Sequence, residues 1–213
     1  MAIKPEGPRR DQARTRFARG AVVEAARSLF VERGYGATTI EAISDLADVP
    51  PATVYRLFSS KLGILKALLD VSIVGDDQNV PMAERPHVRS LADRSDPREQ
   101  LTGFVNLTAQ VNGRVAPLYR ILVSAAGTDP DAAALLDQLT QQRQQGQRMI
   151  ARSLARSGAL RPDLRERDVA DLIHALLSPE LYRLLVIDRV WKIDRYERWL
   201  ARTLEEQLLA PGT

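Results

Sequence analysis

The chain has 213 residues and no cysteine. That removes disulfides, thiolate metal sites and cysteine nucleophiles together. Its two histidines, His87 and His174, lie far apart in sequence, so no zinc-binding spacing is present and no metal is expected. Aromatic residues make up only 5% of the chain, which offers little for stacking on a flat polyaromatic ligand. No apolar run approaches the ~20 residues needed to span a bilayer. The basic N-terminus lacks the apolar segment of a secretory signal, so the expectation is a cytoplasmic protein with no membrane partner. There is no nucleophile elbow, phosphate-binding glycine loop or paired Glu-His metal motif, and hence no enzyme activity or cofactor is expected.

What is present is ordinary for a globular protein: 45% hydrophobic and 27% charged residues, in a chain long enough to bury a full core. The net charge of +3 is small, but it is unevenly placed. Residues 1–20 hold six bases (Lys4, Arg9, Arg10, Arg14, Arg16, Arg19) against two acids (Glu6, Asp11), so the remaining 193 residues are slightly negative. Phosphate contacts dominate DNA affinity, and a basic segment ahead of a DNA-reading element has an evident use there. Residues 1–8, with Pro5, Gly7 and Pro8, read more simply as a solubilising tail.

The most informative stretch is Thr38 to Lys61, TTIEAISDLADVPPATVYRLFSSK. It reads as two short helices joined by a tight turn, the helix-turn-helix arrangement that seats a second helix in a DNA major groove. Thr38 and Glu41 have the spacing of a capping box. Ile40, Ile43, Leu46 and Ala47 give the first helix an apolar face. Ala47-Asp48-Val49-Pro50 forms the turn, and Pro50 or Pro51 suits the entrance of the next helix. Val54, Leu57 and Phe58 face inward there, leaving Thr53, Tyr55 and Arg56 outward with hydrogen-bonding tips and one positive charge.

Around this motif a first helix is expected from about Ala13 to Arg33. Phe17, Val22, Ala25, Ala26, Leu29 and Phe30 form its stripe, and Gly34 its stop. Lys61 to Val74 continues as a helix through Leu62, Leu65, Leu68, Leu69 and Ile73. Residues 75–86 lack periodicity and read as a connection. Helical patterns follow near Pro97–Asn112, Arg114–Ala126, Asp131–Ser157, Arg167–Val186 and Arg195–Leu209. Pro179 is expected to break or kink the fourth of these. The glutamine- and arginine-rich run at 138–152 reads as the solvated face of a long amphipathic helix. The fold class is all-α, with about nine helices. It divides into a basic flexible arm (1–13), a helix-turn-helix DNA-binding domain (14–60) and a helical regulatory and dimerisation domain (61–213).

The order of Ala25-Ala26, Leu29-Phe30, Glu32-Arg33-Gly34-Tyr35, Thr38-Thr39-Ile40, Ile43, Ala47, Val49, Thr53-Val54-Tyr55-Arg56-Leu57-Phe58, Ser60-Lys61 and Leu65 resembles the DNA-binding half of the TetR family of transcriptional regulators. The resemblance covers roughly residues 14 to 70. It departs where the family usually has glycine (Asp48, Ala52), serine (Pro50), histidine (Leu57) and glutamate (Leu62). The base preferences of relatives therefore do not carry over.

The resemblance implies a ligand-responsive regulator, most simply a repressor, that binds a palindromic double-stranded DNA operator as a homodimer. Pro51, Ala52, Thr53 and Arg56 would face base edges, Arg56 with a paired contact to guanine. Arg14, Thr38, Thr39, Tyr55 and Lys61 would hold phosphates and fix the register. The two C-terminal helices would pair with those of a second copy through Val169, Leu172, Ile173, Leu176, Trp199, Leu200 and Leu204. Two recognition helices would then sit about one DNA turn (~34 Å) apart. A small-molecule effector would enter the body. Phe104, Leu107, Tyr119, Leu122, Leu176 and Trp191 are candidates because apolar and aromatic side chains line such pockets. Two alternatives use the same helices: a constitutive DNA binder with no ligand, and a protein-interaction module.

Overall fold

A computed structural model describes residues 7–75 and 85–211, and among these it is all helical, with one isolated β-bridge between Leu160 and Leu209. The elements are α1 (Gly7–Ala37), α2 (Ile40–Ala47), α3 (Pro51–Phe58), α4 (Lys61–Val74), α5 (Pro86–Ala92), α6 (Pro97–Ala126), α7 (Pro130–Arg156), α8 (Glu166–Leu176), α9 (Pro179–Tyr182) and α10 (Ile193–Leu208). A π-helical stretch, Arg183–Asp188, follows α9. Residues 1–6 of the expected arm and most of the expected connection (76–84) lie outside the described residues. Residues 7–13, assigned above to the arm, open α1.

The chain forms two compact units. The head runs through Asp70 and also takes in Arg120–Ala133; the body comprises Val71–Tyr119 and Ala134 onward. In the head, α1, α2 and α3 pack on one another around Val22, Ala26, Phe30, Ile43 and Val54, all fully buried. In the body, Leu101, Val105, Leu154, Val169, Ile173, Tyr196, Leu200 and Leu204 form the core.

Three local results differ from the sequence expectation. Phe17 is 80% exposed and Leu46 57% exposed, so neither joins the apolar stripe assigned to it. α6 is one helix across Gly113 and Pro117 instead of two. Pro117 takes the amide from a bond to the carbonyl of residue 113, and the ring crowds that carbonyl. Gly113 has no side chain to crowd further, and the Tyr182 hydroxyl lies 3.1 Å from where its Cβ would stand. The short α5 has no counterpart in the expected elements.

Pro179 does end α8. The break leaves the Leu177 carbonyl without a helical partner, and Asn112 Nδ2 donates to it at 3.2 Å. Ser178 caps the new helix, accepting from the Leu181 amide at 3.1 Å.

Candidate nucleic-acid interface

The head's geometry begins at Gly34, where α1 kinks with φ 78°, a conformation that glycine adopts without strain. The chain then turns so that Thr38 is buried, 1% exposed. The Thr38 hydroxyl donates to the Gly34 carbonyl at 2.8 Å, with the Leu29 carbonyl at 3.2 Å. This corrects two expectations. Thr38 is not available to a phosphate, and the N-cap of α2 is Thr39, whose exposed Oγ1 accepts from the Ala42 amide at 3.1 Å. The capping residue is displaced by one because Thr38 is consumed in closing the kink.

α2 ends at Asp48 with φ 51°, the left-handed cap that aspartate tolerates. The Val49 amide donates to Ser44 O at 3.1 Å, and the buried Ser44 hydroxyl donates back to Val49 O. This pair of hydrogen bonds ties the end of α2 to the turn that leads into α3. Pro51 opens α3, as its preset φ favours. Val54 and Phe58 are buried, while Pro51, Ala52, Tyr55 and Arg56 are exposed and Thr53 is half-buried. Arg14 and Arg16 are exposed on α1. Of the side chains expected to read or grip DNA, Pro51, Ala52, Tyr55 and Arg56 share an outward face on α3 with Thr53 beside it. Arg14 is exposed on α1 and Thr39 caps α2, whereas Thr38 and Lys61 turn inward.

Lys61 opens α4, but its Nζ turns inward. It donates to Tyr35 O at 2.7 Å and Thr38 O at 2.9 Å, and lies 4.3 Å from the Tyr35 ring centroid. It ties together the end of α1 and the start of the helix-turn-helix. Burial lowers its pKa, and Asp129 opposes that shift. The Tyr35 hydroxyl is pushed up by burial, then by Asp129 and Asp131. Both aspartates belong to the Arg120–Ala133 segment of the head.

Three residues important to this geometry were not singled out as such by the sequence. Asp129 carries no local motif. Gly63 sits where a Cβ would fall 2.0 Å from the Phe58 carbonyl oxygen, so only glycine permits this approach of α3 to α4. Arg19 Nη1 donates to Leu57 O at 3.3 Å, with its guanidinium 4.7 Å from the Phe58 ring. Its arginine identity signalled only charge.

The remaining candidates lie elsewhere. Leu122 is fully buried and belongs to the head's unit, whereas Phe104, Leu107, Tyr119, Leu176 and Trp191 belong to the body and are half-buried. Phe104, Leu176 and Trp191 pack against the body core. Of the expected dimer contacts, Val169, Ile173, Leu200 and Leu204 are fully buried within the chain's own core, which corrects their assignment to a face that meets a second copy. Their helical period marked burial, and the protomer itself supplies it. Leu172, Leu176 and Trp199 are only partly buried.

Comparison with known proteins agrees with this geometry. Residues 22–68 match the family model of bacterial regulatory proteins of the tetR family. The chain is 25% identical to the HTH-type transcriptional regulator YdeS of Bacillus subtilis over 78% of this chain and 77% of that protein. Its fold is similar to a transcriptional regulator from Saccharomonospora viridis solved with choline (TM-score 0.68, 22% identity, 91% of this chain and 98% of that one). It is likewise similar to SmeT of Stenotrophomonas maltophilia solved with triclosan (TM-score 0.68, 18% identity, 92% and 93%). No described helix is long and apolar enough to cross a membrane. Across its helix-turn-helix the chain is thus similar to the DNA-binding region of tetR-family regulatory proteins, and its whole-chain fold is similar to that of solved transcriptional regulators.

Proposed function

We propose that the protein is a repressor that binds a palindromic operator as a homodimer and is released by a small-molecule effector. The observation that carries the DNA half is the outward face of α3: Ala52, Tyr55 and Arg56 exposed over a buried Val54 and Phe58. Pro51, Ala52, Thr53 and Arg56 face base edges in the major groove, and Arg56 suits guanine. Arg14, Thr39 and Tyr55 grip phosphates. α3 has no side-chain N-cap, so its positive end is free to favour a phosphate. A recognition helix of eight residues gives little affinity alone, and a two-fold dimer doubles the contact.

The dimer and effector readings rest on the body. Leu172, Leu176 and Trp199 leave part of their surface for a second copy. Structures similar in fold were solved with triclosan and with choline, which supports an effector site in a body of this kind. SmeT is the repressor of a multidrug efflux pump, and that supports repression as the output. Effector and operator would then compete through a coupling free energy of ~1–3 kcal/mol.

The test is fluorescence anisotropy of the purified protein on DNA from its own upstream region against scrambled DNA, at two salt concentrations. Preference for the native fragment with steep salt weakening supports the reading. No binding to either at low salt sinks it. Deleting the gene is expected to raise transcription of its neighbours; a fall reverses the sign of regulation.

A further inference from the structure

α3 spans only two turns, and a helix that short is marginal unless its neighbours hold it. Three carbonyls of its last turn accept hydrogen bonds from residues beyond the helix. Tyr55 O accepts from the Ser59 amide at 2.8 Å, and Phe58 O from the Ser60 amide at 2.7 Å. Leu57 O accepts from Arg19 Nη1, a residue 38 positions away on α1. The same guanidinium lies 4.7 Å from the centroid of the Phe58 ring, and Phe58 is buried. A cation at this end also complements the helix dipole. One arginine therefore bonds and stacks on the final turn of the helix whose exposed face carries Tyr55 and Arg56.

We infer that Arg19 is a positioning residue for DNA recognition, an inference that rests on the DNA-binding reading above. It clamps the C-terminal end of α3 to α1 and so sets the tilt at which Arg56 meets a base edge. It does not serve by neutralising a phosphate, the use its place in the basic N-terminal segment suggests. Val54 anchors the middle of α3 in the core, and Gly63 lets α4 press against the Phe58 carbonyl. Without Arg19 the last turn of α3 loses its bond to α1, and the helix can tilt about its anchored first half, where Val54 and the hydrogen bonds between Ser44 and Val49 hold it. A small displacement of a bidentate contact loses discrimination between bases before it loses non-specific affinity.

The two roles differ in what salt does. A phosphate contact removed lowers the slope of log K against log salt by about 0.9, and weakens all sequences alike. A positioning residue removed leaves the slope in place and weakens the correct sequence most. The experiment uses full-length wild type, Arg19→Met and Arg19→Lys. The probes are a duplex that wild type selects from randomised DNA and a scrambled duplex of equal length. Anisotropy is measured over a salt series, with thermal unfolding in the absence of DNA.

Arg19→Met is expected to bind the selected duplex about tenfold more weakly, the size of one lost specific contact. The scrambled duplex should change little and the salt slope should hold, and because the Arg19 bond is solvent-exposed the unfolding midpoint should fall by much less than the loss in binding requires. Arg19→Lys keeps the charge but lacks the planar fork that bonds and stacks together, so it should share most of the loss. A shallower slope with equal loss on both duplexes overturns the inference in favour of a phosphate contact. So does unchanged affinity, or a fall in midpoint large enough to account for the loss. If wild type enriches no duplex at all, the DNA-binding reading itself fails, whatever the variants do.

Discussion

The ammonium of Lys61 donates to the carbonyl of Thr38 at 2.9 Å, joining the first residue of α4 to the turn that opens the helix-turn-helix. A positive charge at a helix start is unfavourable to that helix's dipole. Here it is offset by two carbonyls, Tyr35 O and Thr38 O, and by the Tyr35 ring. Lys61→Met is expected to destabilise the free protein by about 2 kcal/mol, typical of hydrogen bonds to a charged group. Urea unfolding without DNA checks this. A midpoint equal to wild type would mean that Lys61 contributes nothing to the fold and remains open to phosphate.

The sequence carried the head further than the body, and Lys61 shows why. Local pattern places an element: the turn at Asp48, the proline entrance to α3 and the stop at Gly34 are all chemistry of adjacent residues. It does not say where a long side chain goes. Lys61, Arg19 and Thr38 were legible as charge and hydroxyl, and each takes a carbonyl partner that only the packed head brings near. The body shows the same limit in apolar form. The period of Val169, Ile173, Leu200 and Leu204 marked burial correctly, but burial within the chain and burial by a second copy have one signature in sequence.

Between α7 and α8, Arg143 Nη2 approaches His174 Nε2 at 3.1 Å, and His174 Nδ1 approaches Gln147 Oε1 at 2.8 Å. Arginine only donates, so Nε2 accepts, and the proton sits on Nδ1, donated to Gln147. That tautomer is neutral. Burial holds the imidazole pKa below its ordinary 6.5, the Arg143 charge lowers it further, and Glu180 and Asp171 oppose. The unfolded chain then binds the proton more readily than the folded one. Stability is full above the ordinary value and falls as pH drops below it. Urea midpoints at about pH 7.5 and about pH 5.5 should differ more for wild type than for His174→Gln. Equal differences in the two proteins would remove His174 from the acid response.

Tyr196 is fully buried in the body core, edge-on to Tyr182 with centroids 5.3 Å apart. Its hydroxyl has no hydrogen-bond partner among the described residues. Burial pushes its pKa far up, as expected for an oxygen enclosed by apolar neighbours. An unsatisfied buried hydroxyl costs about 1–3 kcal/mol. Tyr196→Phe keeps the ring and its aromatic contacts, so it should raise the melting temperature by about 2–4 °C per kcal/mol recovered. A lower melting temperature would reveal a partner for the hydroxyl in solution.

Two glycine substitutions separate space from conformation, because they share a chemistry and differ in surroundings. At Gly63 a Cβ would stand 2.0 Å from the Phe58 carbonyl oxygen, which is backbone and cannot swing aside. Gly63→Ala must therefore part α3 from α4, at a cost of a few kcal/mol, and displace the face that carries Arg56. At Gly146, inside α7, a Cβ meets nothing within 4 Å. Gly146→Ala removes only the backbone entropy that glycine loses in a helix, and should stabilise the protein by about 1 kcal/mol. Thermal unfolding with anisotropy on a selected duplex distinguishes them: the first variant should lose both stability and binding, the second gain stability at unchanged affinity. If Gly63→Ala bound DNA as wild type does, the close approach of α3 to α4 would have no part in placing the recognition face.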